Sequence, residues 1–130
     1  MPCRYAIDLE HKLVISRAWN RVTFAEVDAH QGKLTSDPDF NPDFKQLVDA
    51  TEVTDLDISI DEAKAIFARR TFSPASRCAF LGRGLTVLGI GRLIEAQAAL
   101  MEGRREAVRV FSDRDKALKW LGIENFAALL

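Results

Sequence analysis

The sequence predicts a mixed α/β fold in which an N-terminal β-hairpin is followed by alternating helices and strands, with the helices mainly on one face of a mixed sheet. Two short segments rich in β-branched and aromatic residues open the chain, and helix-capping patterns then alternate with apolar, strand-like runs. Of the 130 residues, 48% are hydrophobic. Because this length and composition suit one core, we expect a single domain over residues 1–130.

The first three elements follow from a turn and a capping pattern. Residues 3–8 and 13–19 have strand character, and residues 10–11 lie between them as a turn, which predicts a hairpin. Thr23 followed three residues later by Glu26 fits a capping box, in which a hydroxyl and a carboxylate satisfy the free N–H groups of a starting helix. A helix is therefore expected directly after the hairpin.

Prolines and further capping residues divide the rest of the chain. Pro38 and Pro42 lack an N–H donor, so the first helix should end near Ser36. The later elements are predicted as a loop at 37–44, a strand at 44–50, a helix capped by Ser59 and Glu62, a strand at 77–81, a helix at 87–101 ended by Gly103, a strand at 107–111 and a helix capped by Ser112 and ended by Gly122. The order is ββαβαβαβα, so most of the sheet should be parallel.

Composition excludes several classes of function. A net charge of −1 without a basic run disfavours nucleic-acid binding. No apolar run approaches the roughly 20 residues of a membrane span, and the N-terminus lacks the pattern of a secretory signal, so we expect a cytoplasmic protein. Cys3 and Cys78 lack the spacing of a disulfide framework or zinc site, which favours buried, reduced thiols.

Charge is unevenly distributed along the chain. Residues 37–62 carry nine acidic side chains and one lysine, a net charge of −8, whereas residues 64–119 have a net charge of +7. A partner would therefore meet two electrostatically different surfaces.

Two segments resemble binding motifs only in part. The loop from Asp37 to Asp43 has oxygen ligands at alternate positions, as a calcium-binding EF-hand loop does, but Pro42 stands where that loop needs glycine and Val48 where it needs glutamate. The glycines between the 77–81 strand and the 87–101 helix do not have the spacing of a phosphate-binding loop, and close helix packing is the simpler explanation for two of them, Gly89 and Gly91. We expect no metal and no cofactor.

A catalytic constellation is also missing from the sequence. His11, in the hairpin turn, and His30, on the first helix, have no triad context. Asp55 and Asp57, near the end of the third strand, have the residue types of an acid and base pair, but helix capping and loop solvation explain them equally well. The sequence therefore predicts a protein that is not an enzyme.

Three short motifs carry a resemblance to a known family. They are the run from Phe44 to Thr54, the Gly89-Ile90-Gly91-Arg92 segment, and Val110-Phe111 followed by Ala117-Leu118-Lys119-Trp120-Leu121. In these motifs and their spacing the chain resembles the SpoIIAA-like family of bacterial STAS-type domains. The resemblance covers nearly the whole chain and implies a STAS-like α/β sandwich, in a family that mostly lacks an assigned biochemical role.

The resemblance also implies a place for regulation. In anti-sigma-factor antagonists of this fold, a serine directly after an aspartate, at the start of the helix after the third strand, is phosphorylated and switches partner binding. Here Asp57 is followed by Ile58, and Ser59 comes one position late. Ser59 suits the role of a helix N-cap better than that of the phosphoacceptor.

Two hypotheses of function follow. The first is a non-enzymatic regulatory or protein-interaction module that uses an acidic surface at Asp55, Asp57 and Ser59. The alternative is a carrier or sensor that binds a small apolar or lipid-like ligand beneath the 87–101 helix, in a pocket formed by Gly84, Leu88, Gly91 and Arg92. An apolar stripe at the end of the chain favours docking on its own domain or a homodimer contact, and consists of Ile123, Phe126, Ala127, Leu129 and Leu130.

Overall fold

A computed structural model describes residues 2–68, 72–73, 76–100 and 108–123. The elements in chain order are β1 (Cys3–Asp8), β2 (Leu13–Thr23), α1 (Phe24–Thr35), β3 (Lys45–Asp57), α2 (Ile60–Ala68), β4 (Cys78–Gly82), α3 (Leu85–Leu100), β5 (Val108–Phe111) and α4 (Arg114–Leu121). This is the predicted order of strands and helices.

The strands form one mixed sheet in the order β1-β2-β3-β4-β5. The hairpin pair β1 and β2 is antiparallel, and every later neighbour is parallel. The crossovers through α1, α2 and α3 all advance in the same direction across the sheet, and right-handed crossovers of that kind place their helices on one face. The prediction that the helices lie mainly on one face of a mixed sheet is confirmed.

The opposite face of the sheet packs against α4. Leu47 of the central strand β3 is 1% exposed and belongs to this layer. Because side chains alternate across a strand, its neighbour Val48 points to the other face, toward α1, α2 and α3. The buried core beneath α4 consists of Leu13, Ile15, Leu47, Ala79, Ala117, Leu121 and Ile123.

Two strands are longer than the sequence pattern indicated. β2 runs to Thr23 rather than to residue 19, and β3 runs to Asp57 rather than to residue 50. The extra residues pair with each other, from Asn20 opposite Val53 to Thr23 opposite Asp57, and the register is irregular between Arg17 and Trp19 and between Asn20 and Arg21. The alternation of apolar residues is broken there, and this break hides the extension from a sequence pattern.

Helix ends follow the predicted chemistry with one exception. The Thr23 backbone N–H donates to Glu26 Oε1 at 3.1 Å and the Glu26 N–H donates to Thr23 Oγ1 at 3.4 Å, which completes the first capping box. α4 is capped by Asp113 and not by Ser112, since the Asp113 carboxylate accepts bonds from two N–H groups of the first turn. Gly122 ends α4 with a φ of 73°, in the left-handed region that favours glycine.

Some predictions fall outside the described residues. They concern the last residue of the 87–101 helix, its stop at Gly103, the first residue of the 107–111 strand, and the apolar stripe beyond Ile123. Within the described ranges, no helix is long and apolar enough to cross a membrane.

Candidate functional site

A cavity of about 210 Å³ lies between the sheet and the layer formed by α1, α2 and α3. Each helix contributes apolar side chains to it: Val27 from α1, Ile66 from α2, and Ile90 and Ile94 from α3. Val48, Phe80 and Val108 are among the strand residues that line it. The wall is predominantly apolar, which is the usual character of a small-molecule site.

Small side chains leave room for the cavity on both of its sides. Ala18, Ala50, Cys3 and Cys78 line it from the sheet, and Ala63 lines it from α2. Protein interiors are close-packed, with few voids larger than a water molecule, so this space is a specific feature and not ordinary packing slack. Val48 lies in the central strand, where side chains are usually buried. Its side chain keeps an intermediate exposure because it borders this cavity.

One polar pair stands in the apolar wall. Ser16 Oγ of β2 and His30 Nε2 of α1 share a hydrogen bond of 3.0 Å. The Ser16 residue is only 6% exposed, and the Tyr5 ring packs edge-on against the imidazole with the ring centroids 5.6 Å apart. Burial lowers the pKa of His30, and the positive charge of Lys33 lowers it further, so the imidazole is neutral at pH 7.

A second polar group on the wall is an amide. Gln46 of β3 lines the cavity, and among the described residues its side chain has no hydrogen-bond partner. A carboxamide offers two donors and one acceptor, and removing it from water without a partner costs about 1 to 3 kcal/mol. Gln46 is therefore a polar group that an occupant of the cavity could satisfy.

Both cysteines lie on this wall. Cys3 and Cys78 are not joined in a disulfide, have intermediate exposure, and both line the cavity. Burial raises the pKa of Cys3, and the charge of Glu26 raises it further, against a smaller lowering by the N-terminal amine. A raised pKa keeps the thiol protonated and unreactive at neutral pH, which fits the predicted reduced state.

The predicted pocket residues lie beside the cavity and not in its lining. α3 presents Ile90 and Ile94 to the space, whereas Gly84, Leu88, Gly91 and Arg92 are absent from the described lining. Gly84 has a φ of 79° just before the helix, and Gly91 packs against the sheet through Phe80.

The polar pair could have been suspected from one signal. Ser16 follows the apolar run 13–15 within a predicted strand, where a hydrophobic residue is usual. Its partner is 14 positions away on a helix, so the pair itself depends on the tertiary fold.

The predicted acidic surface is assembled at one end of the sheet. Asp55 and Asp57 lie near the end of β3 with exposed side chains, and Arg21 of β2 pairs with both, through Nε to Asp55 at 3.6 Å and through Nη2 to Asp57. Ser59 accepts a bond from the Glu62 N–H at 3.1 Å, and the Ser59 N–H donates to Glu62 Oε1 at 2.9 Å. Ser59 is thus the N-terminal partner in a capping box, while Arg21 offsets part of the acidic charge.

Two ligand-type clusters carry no metal assignment. In the loop after α1, the Asp37 carboxylate accepts a bond from the Asp39 N–H at 2.9 Å, which is a side-chain-to-backbone turn. In the hairpin turn, ligand atoms of Asp8, Glu10 and His11 lie within 4.8 Å of one another. Since Asp8 Oδ2 is already hydrogen-bonded to His11 Nδ1 at 2.6 Å, an internal hydrogen bond accounts for the proximity of these two side chains.

The Ser16 and His30 pair has the geometry of a nucleophile and base but lacks the third member of a triad. In the described part of the chain no carboxylate is bonded to the second ring nitrogen of His30. The arrangement supports hydrogen bonding to an occupant of the cavity.

The lowered pKa of His30 predicts a dependence of stability on pH. Between the folded pKa and the ordinary value of 6.5, the unfolded chain binds more protons than the folded chain. The free energy of unfolding should therefore fall as pH drops below about 6.5, by up to about 1.4 kcal/mol per pH unit.

Urea unfolding at pH 8 to 5 of the native protein and of His30→Gln measures this contribution. The stability advantage of the native protein should shrink toward low pH. A matched His11→Gln variant should keep the pH dependence that His30 causes. Equal slopes for the native and His30→Gln proteins would rule out a titrating role for His30 in this range.

Comparisons with known proteins agree with the fold. No protein-family model matches the sequence, and no curated protein matches it. Among solved structures, the chain is similar to an uncharacterized protein of the DUF3478 family with a SpoIIAA-like fold, from Shewanella loihica PV-4. The TM-score is 0.61 at 18% sequence identity, and the similarity covers 92% of this chain and 93% of that chain. The chain therefore has a SpoIIAA-like fold, as the sequence resemblance implied.

Proposed function

We propose that the protein is a carrier or sensor that binds a small, predominantly apolar molecule in the cavity between the sheet and helices α1 to α3. The observation that carries this proposal is the cavity itself, with its volume of about 210 Å³ and its apolar wall. It corresponds to the ligand-binding hypothesis drawn from the sequence, moved toward the side of α3 that carries Ile90 and Ile94.

The volume of the cavity is large enough for a small ligand. An engineered apolar cavity of roughly 150 Å³ remains dry and binds benzene, so this space is large enough for a molecule with one ring. An apolar space of this size between the sheet and the helices therefore supports the binding of a small apolar ligand.

The test uses toluene and xenon as apolar probes, with amide chemical shifts of the ¹⁵N-labelled protein as the readout. Saturable shifts confined to residues around the cavity are expected. Val48→Phe fills the space from the central strand and should abolish them while leaving the spectrum folded. Thr54→Val, a change of similar shape on the same strand at an exposed position outside the cavity lining, is the matched control. If neither probe binds the native protein, the proposed function fails.

A protein-interaction role is the second candidate. It is favoured by the exposed Ile60, whose exposure is 57% and which directly follows Ser59 at the acidic end of β3. An apolar residue beside exposed carboxylates is typical of a small interface with a basic partner. Arg21 already pairs with Asp55 and Asp57, so such a partner would have to compete with this internal ion pair.

Charge reversal tests the second candidate. Asp55→Lys combined with Asp57→Lys should release partners that the native protein retains at physiological salt. Asp39→Lys combined with Asp43→Lys, in the acidic loop after α1, should leave them bound. Retention of the same proteins by both double variants would place the interface elsewhere.

A further inference from the structure

We infer that the molecule bound in the cavity carries one uncharged hydrogen-bonding group, such as an amide, carbonyl or hydroxyl, and that Ser16, His30 and Gln46 recognise it. This inference rests on the proposed function and specifies the chemical class of the ligand. It distinguishes such a ligand from a pure hydrocarbon and from an organic anion.

The polar side chains lie on one side of the cavity. Ser16 of β2 and Gln46 of β3 are on adjacent strands, since Ser16 pairs with Val48 and Gln46 is two residues before it. Both point to the face that α1 covers, and His30 reaches Ser16 from that helix. Ser16 and Gln46 are therefore diagonal neighbours, one strand spacing of about 4.8 Å and two residues of about 3.3 Å apart, which puts their Cα atoms about 8 Å from each other. A single ligand group between the two side chains can approach both.

A purely apolar ligand would leave the Gln46 side chain without a hydrogen-bond partner. Gln46 has no partner for its side chain among the described residues, and a purely hydrocarbon occupant would displace water from it without replacing the hydrogen bonds. A ligand with a carbonyl oxygen accepts from the amide, and one with an N–H or O–H donates to its oxygen. Neutral donors and acceptors thus satisfy both ends of the Gln46 side chain.

An anionic ligand is disfavoured by the charges around the site. Arg17 lines the cavity, but its Nη2 donates to Glu52 Oε1 at 2.7 Å, so its charge is already balanced. His30 is neutral because burial and Lys33 lower its pKa. Among the described lining residues, an ionised carboxylate would find no unpaired cation to compensate for its lost hydration.

Three probes of similar shape separate these classes: toluene, benzamide and benzoate. Dissociation constants measured by amide chemical shifts at pH 7.5 should rank benzamide at least tenfold tighter than either of the others. Gln46→Leu should weaken benzamide about tenfold and leave toluene unchanged or tighter. Ser16→Ala should weaken benzamide by a smaller factor. Gln97→Leu, on α3 outside the cavity lining, should change none of the affinities.

Each result decides a separate point. Equal binding of toluene and benzamide overturns this inference while the proposed function stands, and so does benzamide binding that Gln46→Leu does not change. Tightest binding of benzoate also overturns it, because the site would then supply a positive charge. Failure of all three probes refutes the proposed function, on which the inference rests.

Discussion

Truncation of Leu47 to alanine is expected to lower the free energy of unfolding by about 3 kcal/mol, whereas truncation of the adjacent Val48 should cost less than about 1 kcal/mol. The two residues are neighbours in the central strand and differ in the face to which they point. Leu47 is 1% exposed within the core beneath α4, so its removal leaves a new cavity in a packed layer. Val48 already borders empty space, so its truncation enlarges a cavity and removes few contacts.

Urea titration of both variants provides the measurement, with equal m-values as the sign that the folded and unfolded states are otherwise unchanged. A leucine carries one more carbon than a valine, which accounts for roughly 0.8 kcal/mol of the expected difference. Losses that differ by no more than this would mean that Val48 is as well packed as Leu47. The cavity would then be absent from the protein in solution.

The fold was predictable because its signals are local. Thr23 with Glu26, and Ser59 with Glu62, are three residues apart, and each pair forms the capping box that its spacing indicates. The glycine that ends α4 was readable in the same way, since Gly122 adopts the left-handed conformation that few other residues tolerate. Elements defined by such short patterns also fixed the topology, because right-handed crossovers leave few alternatives.

The cavity was only half predictable, because its walls come from distant parts of the chain. The sequence favoured an apolar site beneath the third helix but did not indicate which side of that helix faces the sheet. α3 is apolar around much of its surface, with Leu85 and Leu100 exposed by 93% and 80%, so no single stripe marks its inner face. Ser16, His30 and Gln46 meet only once β2, α1 and β3 are assembled.

Gly91 explains how α3 comes close to the sheet on one side while leaving space on the other. A Cβ atom at this position would lie 2.7 Å and 2.9 Å from two atoms of the Phe80 ring and 3.2 Å from Val110 Cγ2. Carbon atoms at the first two distances overlap, so only glycine permits this approach. Gly89, two residues earlier on the same helix, has nothing within 4 Å of such a Cβ.

Gly91→Ala is therefore expected to lower the free energy of unfolding by about 2 kcal/mol, while Gly89→Ala should raise it by up to about 1 kcal/mol. Both changes bring the same gain in helix propensity, of about 1 kcal/mol, and overpacking against Phe80 costs up to about 3 kcal/mol at position 91 alone. Urea unfolding of the two variants measures the difference. Equal effects would show that α3 is not seated on Phe80.

The same substitution also connects packing to the proposed site, because Phe80 lines the cavity. A methyl group at position 91 pushes the ring away from α3, and the adjacent empty space is where the ring can go. Gly91→Ala should then weaken toluene binding as well as stability, whereas Gly89→Ala should leave binding unchanged. Loss of stability with full toluene affinity would mean that the strain is relieved by movement of α3, and that Phe80 does not set the size of the cavity.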